Sequence, residues 1–227
     1  MNIKYPPEKF IKDDKLTVFL AGTIEMGMSE DWQSFITDFF KDEKNVVFLN
    51  PRRLDWDSSW EQKITNPHFK AQVVWELEGL EMADLIIMYL DPKTKSPISM
   101  LELGLFLKKP MIVCCPDGFW RKGNIDVICE KYKVEQAETL IDLVAAVQAE
   151  ISKRHSKGWQ DILCPLCENG VSILDHAIDD CTYKNEVINY KSYFLKCTDC
   201  KEEVSTGEID DVNIEYIKRK YEFIKRL

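Results

Sequence analysis

Apolar positions in the N-terminal part of the chain come in two alternating kinds. Short unbroken runs occur at Thr17-Val-Phe-Leu-Ala21, Val46 to Leu49, Ala83-Asp-Leu-Ile-Ile-Met-Tyr-Leu90 and Pro110-Met-Ile-Val-Cys-Cys115. Runs of this length, closed by Gly22 or Asn50-Pro51, read as strands buried on both faces. Between them the spacing is helical. Asp31 to Lys41 carries Trp32, Phe35, Ile36, Phe39 and Phe40, and further helices are predicted over Phe69 to Met82, Pro97 to Lys108 and Thr139 to Arg154. Ser96 is a candidate N-cap, with Pro97 at the first helical position. The alternation predicts an α/β fold, a doubly wound (Rossmann-like or flavodoxin-like) parallel sheet with helices on both faces.

The pattern changes near Ser152 to Gly158, where Lys153-Arg-His-Ser-Lys-Gly158 reads as a linker. It divides a domain over residues 1–157 from a second over 158–227. In the second, short β-type stretches such as Tyr193-Phe-Leu195 lie between two cysteine pairs, and a charged helix is predicted from about Asp211 to Arg226. The pairs are Cys164-Pro-Leu-Cys167 and Cys197-Thr-Asp-Cys200. Each C-x-x-C turn offers two thiolates, and two such turns give the four soft ligands that tetrahedral zinc takes. A closed four-thiolate site leaves no open coordination position, so one structural zinc per chain is expected in a small zinc-ribbon-like β+α module. A redox dithiol would need only one of the two motifs. With four thiolates present, His155 and His176 are not needed as ligands.

Composition narrows the function classes. The 227 residues suit one medium domain plus a small module, and a 45% hydrophobic content is enough for a core. A formal net charge of −9 argues against broad binding to nucleic acid or anionic membranes. No apolar run is long enough to span a bilayer. Met1 to Lys15 is polar and charged, without the apolar core of a signal peptide. Eight cysteines without such a signal point to a reducing, cytoplasmic setting. Cys114, Cys115, Cys129 and Cys181 lack metal-ligand spacing, and Cys114 and Cys115 read as buried strand residues rather than reactive thiols.

In a doubly wound sheet a ligand sits beyond the carboxyl ends of the strands. The first strand delivers Gly22 and Thr23 there, the second Asn50, Pro51, Arg52 and Arg53, and the third Asp91. Glu102 stands among Met100, Leu101, Leu103 and Leu105, where a carboxylate either pairs or does chemistry. Proximity to a helix N-terminus would favour its ionised form. Glu76 and Glu78 lie one helix earlier. Two carboxylates at one cleft could act as nucleophile and acid in cleaving a glycosidic bond, or could form a solvated helix face. Arg52 and Arg53 could clamp a phosphate or pair with Asp55 or Asp57. Trp75 could stack on a base or face the core.

The blocks Phe19-Leu-Ala-Gly-Thr-Ile24, Asp31-Trp32, Asn50-Pro-Arg-Arg53, Gln72-Val-Val-Trp-Glu76, Ala83-Asp84 and Pro97-Ile-Ser-Met-Leu-Glu-Leu-Gly104 stand in the order of a known family. From about Thr17 to Asn124 the chain resembles the nucleoside 2-deoxyribosyltransferase-like family. That resemblance implies a nucleoside or nucleotide substrate, with Glu102 attacking C1′ of the sugar and Glu76 assisting the leaving base. The better-known members carry Asp at the position of Glu76. Gly22 matches the family's close-approach position, and Thr23, Arg52 and Arg53, which stand in the matching blocks, are candidate substrate contacts. Ser99, with the helix N-terminus near Ser96, resembles the phosphate-binding turn of relatives that act on 5′-monophosphates. Family members often assemble with active sites near subunit contacts, so a homo-oligomer is expected.

Residues Ile162 to Arg226 resemble the zinc-binding domain of MqsA/YgiT-type antitoxins, through Cys164-Pro-Leu-Cys167, Phe194-Leu-Lys-Cys197, Cys200-Lys-Glu-Glu203 and the helix that follows. The antitoxins' helix-turn-helix is missing, so DNA binding is not carried over and contact with a protein partner is what remains. Three readings stay open at this point. They are a nucleoside or nucleotide deoxyribosyltransferase or hydrolase, an NAD-type dinucleotide glycohydrolase effector, and a non-catalytic nucleotide-binding or toxin-neutralising protein.

Overall fold

The computed structural model describes residues 2–24, 31–41, 43–53, 55–57, 59–155 and 162–225. The chain forms two compact units, Met1–Val144 and Ala145–Leu227. The first holds the strands β1 (Ile3–Lys4), β2 (Leu16–Gly22), β3 (Val46–Leu49), β4 (Leu85–Tyr89), β5 (Met111–Cys114) and β6 (Glu135–Ala137). They pair in parallel in the order β1-β3-β2-β4-β5-β6. The helices are α1 (Trp32–Phe39), α2 (Pro67–Met82), α3 (Pro97–Phe106), α4 (Lys122–Tyr132) and α5 (Leu140–His155), the last of which runs across the boundary between the units. Every residue of β3, β4 and β5 is buried, which is why these strands appear as unbroken apolar runs.

From β2 the chain goes out to β3 on one side, then α2 carries it back across to β4 on the other. The strand order therefore reverses between β2 and β4, the switch point where doubly wound sheets bind ligands. Two glycines set this region. Gly22 has φ +128°, and a Cβ there would lie 2.2 Å from the Tyr89 carbonyl oxygen. Gly79 seats α2 on the sheet, since a Cβ would lie 2.7 Å from the Phe19 ring.

Ser96 occupies the N-cap position of α3 but does not cap it. Its backbone is left-handed (φ 43°), and its hydroxyl lies 2.5 Å from Thr23 Oγ1 and 2.7 Å from Thr94 Oγ1. Three hydroxyls thus knot the end of β2 to the start of α3. By contrast Thr139 and Asp142 do cap α5: the Thr139 N–H (2.9 Å) and hydroxyl (2.7 Å) donate to the Asp142 carboxylate, and the Thr139 hydroxyl oxygen accepts the Asp142 N–H at 3.3 Å.

The second unit is an antiparallel sheet in the order β10-β9-β8-β7, from β7 (Ile162–Leu163), β8 (Val171–Tyr183), β9 (Glu186–Cys197) and β10 (Glu203–Val204), followed by α6 (Gly207–Ile224). The hairpin of β8 and β9 closes through Lys184-Asn185, both at positive φ (47° and 66°), as a two-residue turn matching strand twist requires. The Asn213 side chain accepts the Tyr193 N–H and donates to the Tyr193 carbonyl, both at 2.9 Å, standing in for a neighbouring strand. Among the described residues Ala149, Tyr193, Leu195 and Ile209 form a packed apolar cluster in this unit, with Val204 against it.

Gly79→Ala tests how α2 is seated. Added volume between α2 and the Phe19 ring is expected to cost about 1–3 kcal/mol, read as a lower denaturant midpoint with unchanged slope.

Candidate active site and metal centre

Asn66 caps α2 by accepting the N–H groups of His68 (3.0 Å) and Phe69 (3.4 Å), and Pro67 fixes its first turn. The helix turns Gln72, Trp75, Gly79 and Leu80 to the sheet. Trp75 faces the core: its ring packs edge-on against Phe10 at 5.1 Å and its N–H donates to the Glu8 carbonyl at 2.8 Å. Glu78 is exposed and solvated.

Glu76 stands beside the buried face, one turn after Gln72. The Gln72 amide donates to Glu76 Oε1 at 2.8 Å and to the Pro51 carbonyl at 3.0 Å. Both partners are acceptors, so the amide orientation is fixed. This ties the carboxylate on α2 to the loop that leaves β3. Glu102 lies on α3 between the buried Ser99 and Leu103. The next crossover thus carries the second carboxylate, close enough to feel the first. Burial pushes Glu102 up to about 8, and the Glu76 charge adds to the rise. Burial also pushes Glu76 up to about 7, opposed by the Gln72 hydrogen bond. The expectation that a helix N-terminus keeps Glu102 ionised is therefore corrected. The residue sits beyond the first turn, where the helix-end field fades and desolvation wins.

The remaining sequence candidates separate. Thr23 is buried and fully engaged. Its hydroxyl accepts the Asp91 N–H at 3.0 Å, and its carbonyl accepts the Trp32 indole N–H at 2.9 Å. Gly22 is explained by the Tyr89 backbone pressed against it. Ser99 is buried in the first turn of α3. Arg52 keeps 14% of its side chain exposed; it donates to Gln33 Oε1 from Nε at 3.3 Å and pairs with Asp31 at 3.3 Å. Arg53 pairs with Asp55 through two bonds and lies 4.9 Å over the Trp60 ring, which in turn stacks on His68 at 4.8 Å.

Sequence reasoning passed over Gln72 and Gln33 as functional groups. The signal for Gln72 was its spacing of four from Glu76 on one helix. Gln33 had no such signal, because its partner Arg52 comes from a distant loop.

Cys164, Cys167, Cys197 and Cys200 come together at the base of the hairpin, with all four Sγ atoms within 4.8 Å of one another. Sulfurs bound at about 2.3 Å to a tetrahedral ion lie about 3.8 Å apart. The cluster shows 3.8 Å for Cys164–Cys200 and 3.6 Å for Cys167–Cys197. Backbone N–H groups point at the sulfurs, from Leu166 to Cys164 (3.4 Å), Gly170 to Cys167 (3.5 Å) and Asp199 to Cys197 (3.3 Å). N–H groups of Asn169 and Gly170 hold the Cys167 thiol down at about 6, favouring the thiolate a metal needs. A Cβ at Gly170 would lie 2.4 Å from Cys197 Sγ, so the knuckle admits only glycine. The donor set fits zinc. Cys114 and Cys115 behave differently, since burial pushes their thiols up to about 12 and about 11.

Residues 15–119 match the family described as Nucleoside 2-deoxyribosyltransferase like. The N-terminal unit resembles that family. The match supports a deoxyribosyltransferase-like enzymatic domain over the segment that carries Glu76 and Glu102. No curated protein matches the chain. A crystal structure of a conserved protein from Enterococcus faecalis V583 is similar at 16% identity, covering 62% of this chain and 99% of that one, with a TM-score of 0.44. None of the described helices is long and apolar enough to cross a membrane.

Two measurements test these sites. Glu102 has its folded pKa raised from 4.5 to about 8, so the folded state holds the extra proton between those values. Its stabilising contribution is full below about pH 4.5 and is lost as pH rises toward 8. Glu102→Gln is expected to flatten that decline and raise the thermal midpoint at pH 8 relative to the parent. Metal analysis of protein purified without chelator is expected to find about one zinc per chain, and Cys197→Ser to lose it together with the near-ultraviolet signal of the second unit.

Proposed function

We propose that the N-terminal unit cleaves the N-glycosidic bond of a nucleoside or nucleotide through a glycosyl intermediate on Glu102. The observation that supports this most is the pair of half-buried carboxylates on successive crossovers, with proton affinities near neutrality, at the switch point of a parallel sheet. The family likeness of residues 15–119 supports the same chemistry.

In this reading the pair holds one proton, and the working form has it on Glu76. Protonation of Glu76 removes the charge that adds to the burial-driven rise of Glu102, so Glu102 gives up its proton more readily in that form. A Glu102 oxygen attacks C1′, and the C1′–N bond breaks with its electron pair going to the base. Glu76 gives its proton to the departing base. A second base or water then attacks C1′, releasing the Glu102 carboxylate, and Glu76 takes the incoming nucleophile's proton. Gln72 holds the Glu76 carboxylate in place during both transfers. Ser99 and the start of α3 offer N–H groups to a substrate phosphate. Gly22 and Thr23 form the floor at the end of β2, and Arg52 and Arg53 the rim beyond β3. The zinc module would stabilise its own fold and contact a protein partner.

The test is chromatographic detection of free base after incubation with nucleosides, deoxynucleoside monophosphates and NAD, each with and without an acceptor base. One substrate class is expected to release base, and Glu102→Gln to lower the rate by more than about a thousandfold. Equal turnover by parent and variant would overturn the assignment. Release from NAD alone would make the protein a dinucleotide glycohydrolase acting with the same glutamate.

A further inference from the structure

Among the buried residues of α2 only Gln72 carries an amide, and that amide is loaded on one side. The side chain is 5% exposed. Nε2 donates to Glu76 Oε1 at 2.8 Å and to the Pro51 carbonyl at 3.0 Å, while the buried Oε1 accepts no hydrogen bond. A buried acceptor without a partner costs stability, and a methionine would seat this turn of α2 on the sheet without that cost. What the amide contributes is therefore its two N–H bonds.

The anchor of the amide is rigid. Asn50 donates its N–H to the Lys4 carbonyl at 2.9 Å, and Asn50 Oδ1 accepts the Arg52 N–H at 3.0 Å, so the chain is fixed on both sides of Pro51. Turning the amide over would set Gln72 Oε1 against the Pro51 carbonyl, acceptor against acceptor. Gln72 can thus offer Glu76 only an N–H. A proton placed on Glu76 Oε1 would weaken the bond that this N–H makes, whereas a proton on Oε2 leaves it whole.

We propose that Gln72 is a positioning residue that keeps Glu76 Oε1 an acceptor in both protonation states, so that Glu76 carries, gives and regains its proton at Oε2 alone. Rotation of the carboxyl group, which would make its two oxygens interchangeable, is what the Gln72 bond prevents. The consequence for the reaction rests on the function proposed above. The Oε2–H bond breaks with its electron pair staying on Oε2, and the proton passes to a nitrogen of the departing base. The carboxylate left behind still accepts the Gln72 N–H at Oε1. The incoming nucleophile then returns a proton to Oε2. Leaving group and replacement meet the same oxygen, the one not held by Gln72.

The experiment uses the full chain and needs no substrate. Infrared difference spectra between acid and alkaline pH give the C=O stretch of protonated Glu76, identified by its loss in Glu76→Gln. In the parent the band is expected at the lowered frequency of a hydrogen-bonded carbonyl. In Gln72→Met, which keeps the length and burial of the side chain, it is expected to move to higher frequency. In the unsubstituted protein the Gln72 Nε2 protons, followed by NMR, are expected to stay protected from exchange on both sides of the Glu76 titration. A band that Gln72→Met leaves in place overturns the proposal. So does loss of amide protection when Glu76 takes up its proton, a measurement that stands even if the variant does not fold. With a substrate in hand, Gln72→Met is expected to lower kcat by about tenfold or more with KM little changed. An unchanged kcat overturns the positioning role. The spectra read Glu76 whether or not base is released, so a failed search for substrate counts against the proposed function and not against the placement of the proton.

Discussion

Drawing two carboxylates partly out of water, near enough for the charge of Glu76 to act on Glu102, is the constraint on which the N-terminal unit turns. An ionised group taken out of water costs several kcal/mol unless it is paired, and two like charges together cost more, so the pair keeps a proton instead. Holding such a pair requires a rigid support, and the sheet provides it. Gly79 presses α2 onto Phe19, the Gln72 amide ties Glu76 to Pro51, and the Thr23–Thr94–Ser96 knot fixes where α3 begins. The left-handed Ser96 carries a backbone cost of the order of 1 kcal/mol. It persists because two hydroxyl partners and the following proline determine it from both sides.

The second unit solves the opposite problem. Among the described residues its packed apolar cluster is small, with Ala149, Tyr193, Leu195 and Ile209 at its centre, set against the ordering of a long hairpin and a helix. A metal ion held by the four cysteines would supply what the apolar core lacks, and the N–H groups aimed at the sulfurs suit the charge of metal-bound thiolates. Asn213 does similar service at the sheet edge, satisfying the Tyr193 peptide where no strand continues.

Much of this was legible in the sequence because the relevant forces leave local marks. Unbroken apolar runs announced β2 to β5, and C-x-x-C spacing announced the thiolate cluster. The elements that escaped lack such marks. β1 is two residues long, two of the three residues of β6 are exposed, and α4 turns only Ile125 and Cys129 inward from an otherwise polar segment. The hairpin extends well beyond Tyr193-Phe-Leu195, because much of β8 is exposed and polar in composition. The segment read as a linker, Ser152 to Gly158, is helical as far as His155, and residues 156–161 lie outside the described set. At the site, Glu102 stood out as a charge among leucines. Its proton affinity could not be read, because that depends on a carboxylate brought in from another helix.

The outer flank of β8 has a consequence of its own. β7 pairs with it only at Val171 and Ser172, so among the described residues most of its outer length has no strand partner. Asp175, Asp179 and Asp180 stand along that stretch; the Asp175 and Asp179 carboxylates each accept the N–H of the next residue, and that of Asp180 accepts the Asn189 amide. An identical strand approaching from another molecule would bring the same three negative charges with it. The hairpin is thereby guarded against runaway sheet growth, and a long open edge can stay in water without seeding fibres.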